Sequence, residues 1–559
     1  MRTSLVITTL LLATGCNAPA RRGDADRIVI NAKVWTGDTT RPAVEALAIR
    51  HGRIIAVGSS EEMRLLAGDS TIVTDAGGRR VLPGFNDAHW HLPAREDAQL
   101  QDAGSVEEIV RRLSTYAATL GADAWVVGRG WSPSDFPGNQ AHRKYLDQRF
   151  PDRPVALRDR DGHQLLVNTR ALALAGITAA TPDPARGQID RDRSGAPTGL
   201  LKESATKLVQ DLIPPPTAEQ VRAGLQREMQ RAASFGLTSL QEASGGEPSG
   251  ASFAAFRQAE AEGTMLVRLR ASVPFERQPT PERLAEFVAL RDAYRGSLLR
   301  FGIAKGYLDG TVDAKTAYML EPYVGGGRGL PFWTQPALDE AVAAYDKAGL
   351  QVALHAIGDG AVRMALDAFE HAMTINGTSG KRHRIEHIEV PARADLPRFN
   401  HLGVIASTQA IFAGPDASTL QNYAPLLGPE RSSRANAFRL FDDAHAVQAF
   451  GSDYPVFPMN VLTGIYAAVT REMPDGTPAG GWYPENRISV EAALRHYTRD
   501  AAFAEFAEGE KGVLAPGMMA DFVVLSEDVL EGPPSRLLRA TVLLTVMGGR
   551  ETYRRESFR

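Results

Sequence analysis

The chain has almost no cysteine: Cys16 stands alone in 559 residues. Disulfides are thereby excluded, and so are metal sites built on thiolates. Basic runs are missing downstream of the N-terminus, and the formal net charge is only -4. Both absences argue against a nucleic-acid partner. Long apolar runs are also missing once the N-terminal segment is passed, so no later stretch reads as a transmembrane helix. What is present is the composition of a soluble globular protein, 43% hydrophobic and 23% charged. The length allows a large catalytic domain with one or two smaller ones.

The N-terminus reads as a targeting segment. Arg2 precedes an apolar run from Leu5 to Ala13, which ends at Thr14-Gly15-Cys16. That run is too short for a permanent membrane span. Ala13-Thr14-Gly15-Cys16 resembles the lipobox of a bacterial lipoprotein signal, with the lone cysteine at the lipidation position. Residues 1–15 are then a signal peptide, Cys16 is the acylated residue, and 16–26 form a tether. The expected location is the cell envelope, anchored by lipid at the periplasmic face of the inner or outer membrane. The competing reading is an ordinary secretory signal with an incidental cysteine.

After the tether come short β-forming runs, including Ile28-Val29-Ile30, Leu47-Ala48-Ile49 and Ile54-Ile55-Ala56-Val57. The C-terminus has the same character in Phe522-Val523-Val524-Leu525 and Val542-Leu543-Leu544. Two β-rich ends suggest one small sheet domain from residues 27–80 and 508–559. Between them eight runs read as strands: Val81 to His91, Gly236 to Gln241, Met265 to Leu269, Gly302 to Lys305, Leu350 to His355, Arg384 to His387, Val404 to Ser407 and Val447 to Gly451. Helical stretches such as Pro281 to Tyr294, Pro336 to Ala348 and Ala361 to Met373 fall between them. Alternating β and α predicts a parallel sheet, and eight units predict an α/β fold of the (β/α)8 barrel type over 81–98 and 217–507. Residues 99–216 are too many for a structureless loop and read as an inserted α+β subdomain.

A barrel places its chemistry at the C-terminal ends of its strands. His89 and His91 end the first run, and Lys305 ends the fourth. His355 ends the fifth, His387 the sixth, and Asp453 follows the eighth. Alternate residues of a strand share a side, so His89 and His91 can aim two imidazoles together. His355 or His387 alone would fit a structural histidine. Six such groups on one rim point to a metal site. Nitrogen and carboxylate donors without thiolate suit one or two divalent ions, Zn2+ first, with Mn2+ or Fe2+ as alternatives.

The ordered motifs resemble the amidohydrolase superfamily, family 3, in the branch that contains N-substituted formamide deformylase. They are Leu82-Pro83-Gly84-Phe85-Asn86-Asp87-Ala88-His89-Trp90-His91, Asp161-Gly162-His163, Lys305-Gly306-Tyr307-Leu308-Asp309-Gly310-Thr311, His355-Ala356-Ile357-Gly358-Asp359, Arg384-Ile385-Glu386-His387 and Gly451-Ser452-Asp453-Tyr454-Pro455. The resemblance implies a distorted barrel with a β-sandwich made from both chain ends, and a metal-dependent hydrolase acting on carbon–nitrogen bonds other than peptide bonds. It implies that His89, His91, His355, His387 and Asp453 bind metal and that Lys305 is carboxylated to a bridging N6-carboxylysine. Asp453 would also move the proton for a metal-activated hydroxide. Lys305 has alternatives: a cation for a substrate carboxylate, or a salt bridge to Asp309 or Asp313.

Other residues carry secondary expectations. His163 would cap the pocket and stabilise an oxyanion, or else make a structural hydrogen bond. Trp131 and Tyr307 are candidates for an aromatic wall or for core packing. Arg434 would reach an anionic substrate or form a surface ion pair. Glu203 is an alternative metal ligand if Lys305 is unmodified. Asp359 would orient His355 or cap the helix that follows it. Loop aromatics Phe136, Tyr318, Tyr323, Phe332, Trp333, Phe412, Trp482 and Tyr483 hint at an apolar substituent. The partner is a small molecule, besides the membrane reached through the lipid anchor; the oligomeric state stays open, a homodimer among the choices. Competing functions are an esterase or lactonase using the same site, and a substrate-binding lipoprotein with an inactive one.

Overall fold

The computed structural model describes residues 23–93, 97–101, 103–377 and 380–558. The signal segment and the lipidation position Cys16 lie outside the described residues. The end of the expected tether does not: a strand Ala25–Ile30 begins within it, because Ala25 pairs with Ala67 on a neighbouring strand. No helix among the described residues is long and apolar enough to cross a membrane.

Eight parallel strands form the central sheet: β1 (Phe85–Trp90), β2 (Leu237–Glu242), β3 (Arg268–Pro274), β4 (Leu299–Tyr307), β5 (Gln351–Ala356), β6 (Arg384–His387), β7 (Ile405–Gln409) and β8 (Gln448–Gly451). They follow one another in chain order, each hydrogen-bonded to the next. Between β8 and β1 the sheet is nearly closed. Asp453 N donates to His89 O at 2.7 Å, and His91 N donates to Tyr454 O at 2.8 Å. Helices fall between strands as the alternation predicts, for example Pro281–Ala293, Gln335–Lys347 and Asp359–Asn376. Their inward residues, such as Phe287, Leu338, Val342, Leu366 and Phe369, are buried against the strands. Each such side chain contributes about 1.5–3 kcal/mol by leaving water.

The inside of the barrel is polar and tied together by Arg384, which is fully buried. Its guanidinium donates to Gln241 on β2, to Ala88 O on β1, to Ser407 on β7 and to Glu386 on its own strand. A buried guanidinium is tolerated only when its donors are satisfied.

The first expected run is two strands. Arg80–Pro83 pairs antiparallel with Phe522–Leu525 and belongs to a different sheet. The chain changes sheets at Gly84, where a Cβ would sit 2.4 Å from the Thr238 side chain. That other sheet has six strands and uses both chain ends, Lys33–Trp35 at one and Val542–Met547 at the other. A four-stranded sheet from 25–75 lies nearby, and Val29, Leu47, Val81, Phe522 and Leu544 share one buried cluster. The segment between β1 and β2 carries its own six-stranded sheet, including Val126–Trp131, Val155–Asp159 and Pro197–Glu203.

Candidate metal centre

Three donor atoms meet at the C-terminal rim where β1 and β8 close. His89 Nε2 lies 3.2 Å from His91 Nε2 and 3.4 Å from Asp453 Oδ1, and His91 Nε2 lies 2.9 Å from the same oxygen. The backbone is bent to aim them: Asp453 has φ +57°. A non-glycine residue in that region is strained unless its surroundings hold it, and such residues gather at functional sites. Here Asp87 does the holding. Its carboxylate accepts from Ser452 N at 2.9 Å, from Ser452 Oγ at 2.5 Å and from His89 N at 3.1 Å. Burial pushes Asp87 up to about 6 despite those bonds.

The hydrogen bonds on the far side of each ring decide what the near side offers. His89 Nδ1 meets Glu386 Oε2 at 2.6 Å, so it donates, and Nε2 is left with a bare lone pair. His91 Nδ1 faces Ser244 Oγ at 3.1 Å. Two imidazole nitrogens and a carboxylate oxygen thus converge, the His89 nitrogen without a hydrogen, and a divalent cation satisfies that arrangement. Among the described residues this is the one group of three or more histidine and carboxylate side chains with ligand spacing.

His355 and His387 stand beside it, on β5 and at the end of β6. Their ring centroids are 4.5 Å apart, and His387 is 4.7 Å from His89. His387 Nδ1 pairs with Gln409 at 3.0 Å and lies 3.9 Å from Asp453 Oδ2, and its φ is +74°. Burial, with neighbouring cations and imidazoles, holds His89, His355 and His387 well below the ordinary imidazole value. Neutral imidazoles are the form that binds metal. Lys305 is buried with Nζ 3.1 Å from Ala243 O and 4.5 Å above the Tyr307 ring. Neither Asp309 nor Asp313 is its partner. Asp309 instead accepts from the backbone N–H groups of Tyr318, Ile357 and Gly358, and its Oδ1 lies 3.7 Å from His355 Nε2.

A cavity of about 590 Å3 opens over these groups, bordered by His91, Lys305, His355, His387 and Asp453. The inserted segment supplies the facing wall through Arg129, Arg158 and the Asp159 to His163 loop. His163 meets Glu203 at 3.0 Å and lies 5.3 Å, ring to ring, from His355. Burial alone would lower the His163 imidazole. The Glu203 carboxylate, with Asp159 and Asp161, outweighs it and pushes the group up to about 9.

Several secondary expectations are corrected. Glu203 is held by His163 and Thr316 and does not join the three-donor cluster. Arg434 does not reach the cavity and takes its other reading, an ion pair with the exposed Glu430, with a further bond to the Pro391 carbonyl. Asp359 accepts from Leu320 N at 2.8 Å and neither orients His355 nor acts as the cap, a place Gly358 takes. Of the eight loop aromatics only Phe412 borders the cavity; Trp333, for one, packs against Phe275 at a tilt of 41° instead. The walls mix charged groups with apolar ones such as Leu92, Ile357 and Val456. Trp131 is fully buried and lines a side recess, and Tyr307 borders the main cavity.

Glu386, Ser244 and Gln409 were missed as orienting groups. Glu386 carried a signal, since it lies two residues after Arg384 and therefore shares its inward face. Gln409 lies on β7 and Ser244 in the loop after β2, away from the strands whose rings they hold, and nothing local marks them.

Residues 73–553 match the model of an amidohydrolase family. The protein LONG AFTER FAR-RED 3 of Arabidopsis thaliana is 32% identical over 543 residues, covering 95% of this chain and 92% of that one. N-substituted formamide deformylase of Arthrobacter pascens is 28% identical over 555 residues, covering 95% and 98%. Among solved structures, an uncharacterized metal-dependent hydrolase from Pyrococcus horikoshii OT3 superimposes with a TM-score of 0.71 at 27% identity, covering 91% of this chain and 99% of its own.

Proposed function

The chain belongs to the amidohydrolase family, and from that premise we propose that it hydrolyses a carbon–nitrogen bond, other than a peptide bond, in a small molecule. The convergence of His89 Nε2, His91 Nε2 and Asp453 Oδ1 carries this reading. His89, His91, His355, His387 and Asp453 are the residues to hold one or two divalent ions. The donor set favours Zn2+, with Mn2+ or Fe2+ as alternatives. Lys305, if carboxylated by CO2, would add a carbamate oxygen to that donor set. An ion there supplies Lewis acidity that acidifies water and polarises a carbonyl.

The chain's own groups do the rest. Asp453 accepts the proton of the attacking water and passes it to the departing nitrogen. His163, kept protonated by Glu203, faces the cavity and donates to the substrate oxygen as it gains charge. Glu386, Ser244 and Gln409 hold three rings so that each aims the same nitrogen at the cavity. The insert supplies the wall that faces these groups. The deformylase relative, by its name, acts on an N-substituted formamide, which supports an amide-type bond here. We further place the enzyme in the bacterial envelope, anchored through Cys16.

The test is reversible metal removal. Purified protein is assayed on N-formyl and N-acyl amides before chelation, after it, and after adding back Zn2+ or Mn2+. Stoichiometric metal and chelator-reversible hydrolysis are expected. Full turnover by metal-free protein would refute the reading.

A further inference from the structure

A second recess, of about 70 Å3, opens off the main cavity and shares Asp159, Arg160, Asp161, Thr311, Glu389 and Phe412 with it. Its small size against 590 Å3 makes it a place for a head group, not a whole substrate. Five carboxyl groups face it: Asp159, Asp161, Asp313, Glu389 and Asp416. Arg160 is the one cation among its lining residues and is paired with Asp416 above the Phe457 ring. Asp313 is half-buried, but its Oδ1 is closed to water and meets no hydrogen-bond donor among the described residues. Its other oxygen has only Ser418 Oγ, at 3.3 Å. Aromatic rings from Trp131, Tyr423 and Phe457 complete the walls.

We infer that this recess receives the ammonium end of the substrate, so that the enzyme cleaves amides carrying a second, cationic amine arm. The inference rests on the hydrolytic reading for the other end of that molecule. A buried acceptor oxygen without a donor is costly, and an ammonium supplies three donors. Carboxylates and aromatic faces together are the chemistry that holds an organic cation. A metal ion is the poorer occupant, because no three of these carboxylates bring oxygens to ligand spacing. The acids also strain against one another. Burial, then the charge of Asp161, pushes both Asp159 and Asp313 up. A bound cation relieves that repulsion.

The test compares N-formyl-α,ω-diaminoalkanes of three to six carbons with N-formylalkylamines in which a methyl replaces the ammonium. At the best spacer the ammonium compound should have a kcat/KM at least tenfold higher, mostly through KM. Asp313→Asn and Glu389→Gln should each cut that preference about tenfold, with zinc content followed in parallel. Equal turnover of both series by the wild type, or an undiminished preference in both variants, would overturn the inference. Calorimetry with butylammonium against butanol separates it from the hydrolytic reading. If neither series is cleaved but butylammonium alone binds, and Asp313→Asn weakens it, the recess stands while the hydrolytic reading falls. Butylammonium binding no tighter than butanol sinks the recess by itself, even if neither variant folds.

Discussion

Glu386 Oε2 accepts a hydrogen bond from His89 Nδ1 at 2.6 Å, with both side chains sealed from solvent. The carboxylate is itself gripped by Arg384, at 2.8 Å through Nε. One buried arginine therefore sets a carboxylate, the carboxylate sets an imidazole, and the imidazole presents Nε2 to the rim.

Replacing Glu386 with Gln keeps the shape and removes the charge. Outer partners of this kind are worth about 10- to 100-fold in metal affinity, and Glu386→Gln should lose that much for Zn2+. Equilibrium dialysis against a competing chelator measures it. Wild-type affinity in the variant would remove Glu386 from the site.

Asp453→Asn should lower kcat about 100- to 10,000-fold, the range of a lost general base. Asparagine tolerates the positive φ of position 453, so the circular dichroism spectrum should not change. His89→Ala should abolish turnover with the barrel still folded. Either variant turning over at the wild-type rate contradicts the assignment.

The seam between β1 and β8 has no room for a side chain. A Cβ at Gly451 would lie 2.5 Å from His89 N and 2.9 Å from His89 Cα, both backbone atoms. Gly451→Ala must push the two edges apart, at a cost of about 1–3 kcal/mol. It should also weaken metal binding, since His89 and Asp453 sit across that seam. Urea unfolding and zinc titration read the two effects, and a variant as stable as the wild type would show that the seam has slack.

His496 is buried between Asp442 at 3.2 Å and Asp500 at 2.9 Å, far from the rim. Burial alone would lower it, but the two carboxylates outweigh burial and raise it above 6.5. That contribution is complete below 6.5 and is lost as pH rises through the folded value. Asp442 and Asp500 are held below 3.8, burial being outweighed by His496, so their contribution is complete above 3.8 and is lost as pH falls through the folded values. His496→Gln should therefore cost most, about 2 kcal/mol, between pH 4 and pH 6.5. The deficit should shrink at higher pH. Unfolding curves across that range check it, and a pH-independent deficit would contradict a charged His496.

Cys16→Ser should release the protein from the membrane fraction and stop incorporation of labelled palmitate. An unaltered distribution would favour an ordinary secretory signal.

The eight strands are legible because each is a short apolar run between turn residues, and five of them carry a functional side chain at or just past one end. Lys305, His355, His387 and the His89–His91 pair could be placed on one rim from that alone. Strand one was read too long, since Val81-Leu82 is as apolar as the strand it precedes and only Gly84 marks the switch of sheets. Glu203 and Asp359 went astray for a shared reason. Each lies outside the barrel strands or at an element's end, where spacing along the chain does not say which way a side chain turns.

The sequence by itself determined the alternation of strand and helix, the nitrogen-and-carboxylate donor set without thiolate, and the order in which the strands deliver it. These are local matters of periodicity and residue type. Only the tertiary structure decided that His89, His91 and Asp453 form the tight group and that Glu386 points His89. It alone decided that the insert brings its carboxylates against Asp313, Glu389 and Asp416. Those relations join residues hundreds of positions apart, and they exist only once burial and the closing of β8 on β1 have fixed where each backbone runs.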